Sequence, residues 1–248
     1  MKKIMSNAGK IYIGTSGWHY KHWLGTFYPD DMKSKDFIHF YKERLDTVEI
    51  NNSFYRLPAE DTFASWKDKV PESFIFAVKG SRYITHIKRL KSPIKDSLDL
   101  FLQRSMALNG KLGPILFQLP PSMKFNQERL ASFLPELPDN LRFTIEFRNP
   151  EWYNNETREL LKQYNIAFCW YELAFHQSPA WVTSDFIYVR LHGPDDKYQG
   201  SYEDYKLEEW AHKLKKYSDE GIDVYCYFDN DQFGYAPHNA MQLKQLCY

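Results

Sequence analysis

The sequence predicts an α/β chain folded as a parallel, eight-stranded (β/α)8 barrel of the TIM type, with the helix after the sixth strand short or missing. Three observations predict it. The length, 248 residues, suits the roughly 250 residues that such a barrel takes. Eight short apolar segments alternate with helix-like spans, the pattern of parallel βαβ units. The stretch 142–153 alternates strictly, with Phe143, Ile145 and Phe147 on one face and Thr144, Glu146 and Arg148 on the other, until Asn149-Pro150 stops it. A strand that is apolar outside and charged at its inner end fits a barrel packed on helices outside and open to a polar site at its top. The rival arrangement is an open, doubly wound sheet.

Each element has its own justification. Residues 11–15 form a first short strand, ended by the turn around Gly14, Ser16 and Gly17. Ser34 caps a helix in which Phe37, Phe40, Tyr41 and Leu45 recur at helical spacing. Residues 46–50 are the second strand and 60–69 the second helix; residues 74–79 are the third strand. Ser92 then caps a helix with Pro93 at its first position, and Asn109-Gly110 stops it. Residues 115–119 are the fourth strand, closed by two prolines, and a short helix follows at 127–133. After the fifth strand come a helix at 157–164 and a sixth strand at 166–170. The link 171–185 is short and contains Pro179, which leaves little room for a sixth helix. Residues 186–192 are the seventh strand, 207–220 a helix, 223–230 the eighth strand and 236–246 the closing helix. One domain is expected over 11–248, preceded by a disordered or extended tail at 1–10.

Composition narrows the function classes. With 32 basic and 32 acidic residues the net charge is zero, so nothing pulls the whole chain toward nucleic acid or an anionic membrane. Cys169, Cys226 and Cys247 are too widely spaced for a zinc ribbon or a redox pair. The lysines near the N-terminus have no apolar run behind them, and no span approaches the roughly 18 apolar residues of a membrane helix, so the expected location is cytoplasmic. No Walker loop, Gly-x-Gly-x-x-Gly or Gly-x-Ser-x-Gly is present. His86, His192 and His238 fall on different loops, so neither a metal site nor a cofactor is expected.

Applying the same alternation to every strand gathers polar side chains at one rim. Glu49 and Asn51, Lys79, Gln118, Glu146 and Arg148, Arg190 and His192, and Asp229 all fall on inner faces at strand C-terminal ends, where barrel enzymes keep their chemistry. Glu49, Lys79, Glu146 and Asp229 are the catalytic candidates: a carboxylate as general base, or Lys79 as a Schiff-base nucleophile. Asn51, Tyr55, Arg82, His86, Gln118, Arg148, Arg190 and His192 are the substrate-binding candidates. Arginines at such a rim can clamp a phosphate or carboxylate bidentately. The plainer alternative is a salt-bridge network that closes the barrel top. Residues 79–95 hold six basic side chains and no acid, and aromatics such as Trp18, Tyr20, Trp23, Tyr55, Tyr83, Trp152, Tyr198 and Tyr202 follow strands. They either stack a ligand or cover the barrel mouth.

Several segments together resemble a known family. Ile13-Gly-Thr-Ser-Gly-Trp18, Thr47-Val-Glu-Ile-Asn-Asn-Ser-Phe-Tyr55, Phe76-Ala-Val-Lys79 with Ile84-Thr-His86, Gly113-Pro-Ile-Leu-Phe-Gln-Leu-Pro-Pro121, Glu146-Phe-Arg-Asn-Pro150, Tyr188-Val-Arg-Leu-His-Gly193 and Tyr227-Phe-Asp-Asn230 are similar, in order and over nearly the whole chain, to the domain of unknown function 72, the YecE-like proteins. The resemblance implies a TIM barrel. It implies no activity or cofactor. It marks Glu49, Lys79, Glu146, Arg190 and Asp229, with Asn51, Arg82, His86 and Arg148 beside them, as site residues without roles.

The leading expectation is a metal-independent enzyme of a small anionic or sugar-phosphate-like substrate, with a small or phosphate-containing ligand as partner. The alternative is a nucleic-acid-binding or nuclease-like protein using the basic 79–95 loop and the rim aromatics. A second alternative is a non-catalytic scaffold held by structural ion pairs. Oligomeric state is left open.

Overall fold

The computed structural model describes residues 8–248. Residues 1–7 of the expected tail lie outside them, while Gly9 and Lys10 are tied down by Gly9 N–H to the Ser218 carbonyl (2.8 Å) and Lys10 N–H to Asp223 (2.9 Å).

The strands are β1 (Ile11–Ser16), β2 (Thr47–Ile50), β3 (Ile75–Lys79), β4 (Leu112–Leu119), β5 (Phe143–Phe147), β6 (Ala167–Phe168), β7 (Trp170–Leu173), β8 (His176–Gln177), β9 (Phe186–Leu191) and β10 (Asp223–Phe228). They form one curled, mostly parallel sheet in the order β6-β5-β4-β3-β2-β1-β10-β9-β7-β8. This is coarser than the regular eight-stranded barrel expected. The predicted sixth strand is split at Cys169: β6 pairs with β5, β7 pairs with β9, and one residue separates them, so both ends of the strand order meet there. In place of a sixth helix, β7 turns back on β8 as a short antiparallel hairpin.

The helices are α1 (Phe37–Tyr41), α2 (Asn52–Tyr55), α3 (Glu60–Asp68), α4 (Lys95–Ser105), α5 (Gln127–Phe133), α6 (Asn155–Gln163), α7 (Asp204–Asp219) and α8 (Tyr235–Cys247). Two expected caps are displaced. Ser34 opens a 3-10 turn, Ser34–Asp36, rather than α1 itself. Pro93 lies two residues before α4, because the first bond of that helix runs from Leu98 N–H to the Ile94 carbonyl (2.9 Å) and makes Ile94 the cap. The basic loop also contains a π-turn, Tyr83–Ile87, which the sequence pattern does not reveal.

Alternation sorts the core as expected. Outward Val48, Ile50, Phe76, Val78, Ile115, Phe117, Ile145, Val189 and Phe228 join the layer packed on the helices. Inward Ala77, Leu116, Ala167, Cys169, Phe186, Tyr188, Tyr225 and Tyr227 form a second cluster that floors the polar ring. β1 and β2 share only two register pairs, Thr15 with Val48 and Ser16 with Glu49. Gly14 permits the close approach just below them, since a Cβ there would stand 2.1 Å from the Thr47 carbonyl oxygen. The buried Tyr41 hydroxyl fills the missing pairing: it donates to the Thr47 carbonyl and accepts from Thr15 N–H, both at 3.0 Å.

Candidate functional site

Arg190 stands at the centre. It is fully buried near the end of β9 and every guanidinium nitrogen is engaged. Nε donates to Glu49 Oε2 (3.0 Å) and Nη1 to Glu146 Oε2 (2.9 Å). Nη2 donates to Glu49 Oε1 (2.7 Å), Asp229 Oδ2 (3.1 Å) and Ser16 Oγ (3.2 Å). Alternation explains the convergence, because β2, β5 and β9 each present an inward side chain near their C-terminal ends and Asp229 directly follows β10. Glu49 is further held by the Ser16 and Tyr188 hydroxyls, both donating at 2.7 Å.

Arg148 forms a second layer. Its Nε pairs with Glu146, its Nη2 donates to His192 Nε2 (2.7 Å), and its guanidinium carbon lies 4.6 Å from the Tyr171 ring centroid. His192 Nε2 thus faces two guanidiniums, Arg148 and Arg190, and must be an acceptor. The proton is on Nδ1, which donates to Asp229 Oδ2 (2.9 Å). Burial, then Arg148 and Arg190, keep this imidazole neutral to below its usual range. Burial by itself would raise the Glu146 carboxyl, but Arg148 and Arg190 outweigh it and hold it well below the usual range. Asp229 is likewise lowered: burial opposes, and Arg190 and the His192 hydrogen bond prevail.

Lys79 is different. It ends β3 half-buried, its Nζ 4.6 Å from the Phe54 ring centroid, with neither a hydrogen bond nor an ion pair among the described residues. Burial and then Arg190 bring its pKa down to about 8, against the opposing pull of Glu49, Asp229 and Glu146. His86 packs edge-on against the same Phe54 ring at 5.0 Å between centroids. Burial, Lys79, Arg82 and Arg89 lower the pKa of His86.

Two cavities adjoin the ring. One, of about 330 Å³, is lined by Gln118, Arg148, Tyr171, His176, Lys197 and Tyr198 among others. The other, of about 430 Å³, is lined by Gly17, Trp18, His19, Tyr20, Asn51, Asn52 and Trp66, and the buried Asn51 Oδ1 has no hydrogen-bond partner among the described residues.

The structure therefore brings Glu49, Glu146, Arg148, Arg190, His192 and Asp229 into one network, with Lys79, His86, Asn51 and Gln118 around it. Three of the expected binding residues need correction on geometric grounds. Arg190 and His192 are buried with their donors and acceptors already used, so neither is free to clamp a ligand. Tyr55 is 82% exposed and lines a groove with Arg56 and Arg104, apart from the network. Arg82 is exposed and makes no ion pair among the described residues. Of the loop aromatics, Trp18, Trp23, Trp152 and Tyr202 are buried as cover, while Tyr83 stays partly exposed. Sequence reasoning missed Ser16, Tyr188, Tyr171, His176 and Lys197. Tyr188 was available from the alternation through Arg190; His176 and Lys197 come from a hairpin and a loop with no periodic signal. Among the described residues, no group of three or more His, Cys, Asp or Glu side chains is placed to hold a metal ion, and no helix is long and apolar enough to cross a membrane.

Comparison with known proteins agrees with this architecture. The UPF0759 protein YunF of Bacillus subtilis is 25% identical over 268 aligned positions, covering 95% of this chain and 94% of that protein. The UPF0759 protein YecE of Escherichia coli K12 is 26% identical over 146 positions, 58% of this chain and 50% of that protein. A crystal structure of a DUF72 family protein from Thermotoga maritima superposes with a TM-score of 0.86 at 26% identity, covering 95% of this chain and 98% of that one. The family model described as protein of unknown function DUF72 matches residues 12–248, and the chain belongs to that family.

Proposed function

We propose that this chain is an enzyme of a small anionic, sugar-phosphate-like substrate, using its own side chains and no metal, and that its curled sheet serves as a TIM-type barrel with the site at the C-terminal rim. The observation that carries this reading is Arg148. Glu146, His192 and Tyr171 fix its guanidinium in place, yet Nη1 makes no hydrogen bond among the described residues and the side chain lines a cavity shared with Lys197. A preset guanidinium nitrogen beside a second cation suits a phosphate oxygen. The cavity, about 330 Å³, lies at the small end of the range for ligand pockets.

Thermal unfolding with inorganic phosphate and with ribose 5-phosphate tests the reading. A rise that grows with the logarithm of ligand concentration is expected, about 2.7 kcal/mol when ligand reaches a hundred times its Kd, and the Arg148→Met variant should lose it. Absence of any shift in the folded wild type would overturn the anion site and favour a scaffold closed by ion pairs. Exposed Tyr55 and Tyr83, with Lys88 Nζ 5.8 Å from the Tyr83 ring centroid, support a second reading in which the rim stacks nucleic acid. That binding should weaken steeply with salt, unlike binding of a small phosphate ester.

A further inference from the structure

Lys79 carries a feature that phosphate binding leaves unused. Glu49, Glu146, Arg148, Arg190 and Asp229 at the inner rim are paired, whereas this amine stands at the end of β3 without a hydrogen bond or an ion pair among the described residues. The ring face of Phe54 lies on one side of it, and a guanidinium already fixed by three carboxylates belongs to the same ring. An unpaired amine held near a fixed cation is the arrangement in which lysine becomes a nucleophile. A proton acceptor packs against the same Phe54 ring. Thr85 Oγ1 donates to the Ser81 carbonyl (3.1 Å), which leaves it to accept from His86 Nδ1 (2.9 Å); Nε2 of His86 then keeps a free lone pair. Phe54 touches both partners, its centroid 4.6 Å from Lys79 Nζ and 5.0 Å from the His86 ring centroid.

We infer that Lys79 is a covalent catalyst that captures the carbonyl carbon of an aldose or ketose phosphate as a protonated imine. This rests on the anion-binding reading above for the phosphate and adds the reacting carbonyl. His86 takes one proton from the Lys79 ammonium through a single water, since the two side chains make no direct hydrogen bond. The amine lone pair attacks the carbonyl carbon, a C–N bond forms, and the C=O π pair becomes an oxyanion. That oxygen takes a proton from the new nitrogen and a second from His86, and it leaves as water as the nitrogen lone pair closes the C=N bond. Ammonium plus carbonyl thus gives protonated imine plus water, with no oxidant or reductant. The carboxylates of Glu49, Glu146 and Asp229 offset the positive charge that persists on nitrogen.

The experiment is reductive trapping. The full chain is incubated with dihydroxyacetone phosphate near neutral pH, reduced with sodium borohydride, and mapped by peptide mass spectrometry. One adduct per chain is expected, on Lys79. A lysine with pKa about 8 rather than 10.5 has a free-amine share at pH 7 greater by roughly two orders of magnitude, so Lys79 should label at least about tenfold faster than any exposed lysine. His86→Gln should slow trapping at Lys79 by about a hundredfold while leaving surface lysines unaffected. No adduct, or labelling spread over exposed lysines with Lys79 no faster, would overturn the inference, and mapping the wild type makes the result independent of how a Lys79 variant folds. The two proposals fail separately. A phosphate-dependent thermal shift without an adduct removes the imine and keeps the anion site. Equal trapping with unphosphorylated dihydroxyacetone and no thermal shift removes the anion site and keeps the imine.

Discussion

Arg190 contacts three carboxylates and lies wholly out of solvent, so its worth is decided by what its removal would leave behind. Arg190→Met would strand Glu49 as a buried anion without an ion-pair partner, while Glu146 would keep Arg148. Breaking such a buried pair costs about 3–5 kcal/mol, and the loss should appear as a lower denaturation midpoint by urea titration. A change below about 1 kcal/mol would mean that the network is wet or rearranges. At this scale the sequence was informative about direction and silent about partners. Alternation placed Arg190, His192, Glu146 and Asp229 inward, because the pleat fixes which face a side chain takes. It held nothing about distance around the sheet, so a clamp open to ligand and a saturated ion network read alike. Lys79 shows the same limit in reverse: its inward face was legible, its lack of a partner was not.

Among the elements, local chemistry was legible where a cap or a period was strong. The helix at 127–133 was placed from pattern and is observed at those positions, with Asn126 Oδ1 accepting from Arg129 N–H (2.8 Å). The start of α6 was placed two residues late because its cap, Asn154, precedes a polar first turn. Asn154 Oδ1 accepts from Thr157 N–H at 2.9 Å, and Asn154→Ala should cost about 1 kcal/mol of stability with no change in phosphate binding. An unchanged thermal midpoint would show that solvent replaces the cap. Among the elements missed, all without a period, are α2, the π-turn at 83–87, the β7–β8 hairpin and the break at Cys169. Each depends on tertiary neighbours. Cys169 N–H bonds to the Ile145 carbonyl (2.9 Å), so the residue that interrupts the strand still belongs to the sheet.

For the molecule as a whole, the pH dependence of stability follows from the groups at the rim. Glu146 and Asp229 have depressed pKa values in the folded chain, so they stabilise it above their unfolded values and that contribution is lost as pH falls through the folded ones. Lys79 acts in the same sense at the alkaline end, although here it is the charged form that burial penalises. Its folded pKa of about 8 is below the ordinary 10.5, so between those values the unfolded chain holds more protons and stability rises with pH. Chemical denaturation across this range should show that rise in the wild type and not in Lys79→Met. An identical slope in both would place the amine in a fully hydrated setting. The zero net charge was legible at once, and it conceals a rim where charge is concentrated and paired.

The Tyr41 phenol has a consequence for how this rim is governed. It belongs to α1, on the outside of the sheet, yet it supplies the linkage between β1 and β2 directly beneath Ser16 and Glu49. Main-chain ladders answer only to the strands that form them; a lever made from a side chain answers to the helix that carries it. A shift of α1, from a neighbour docking on it or from loss of that one hydroxyl, would be relayed to the carboxylate gripping Arg190 without any event at the mouth itself.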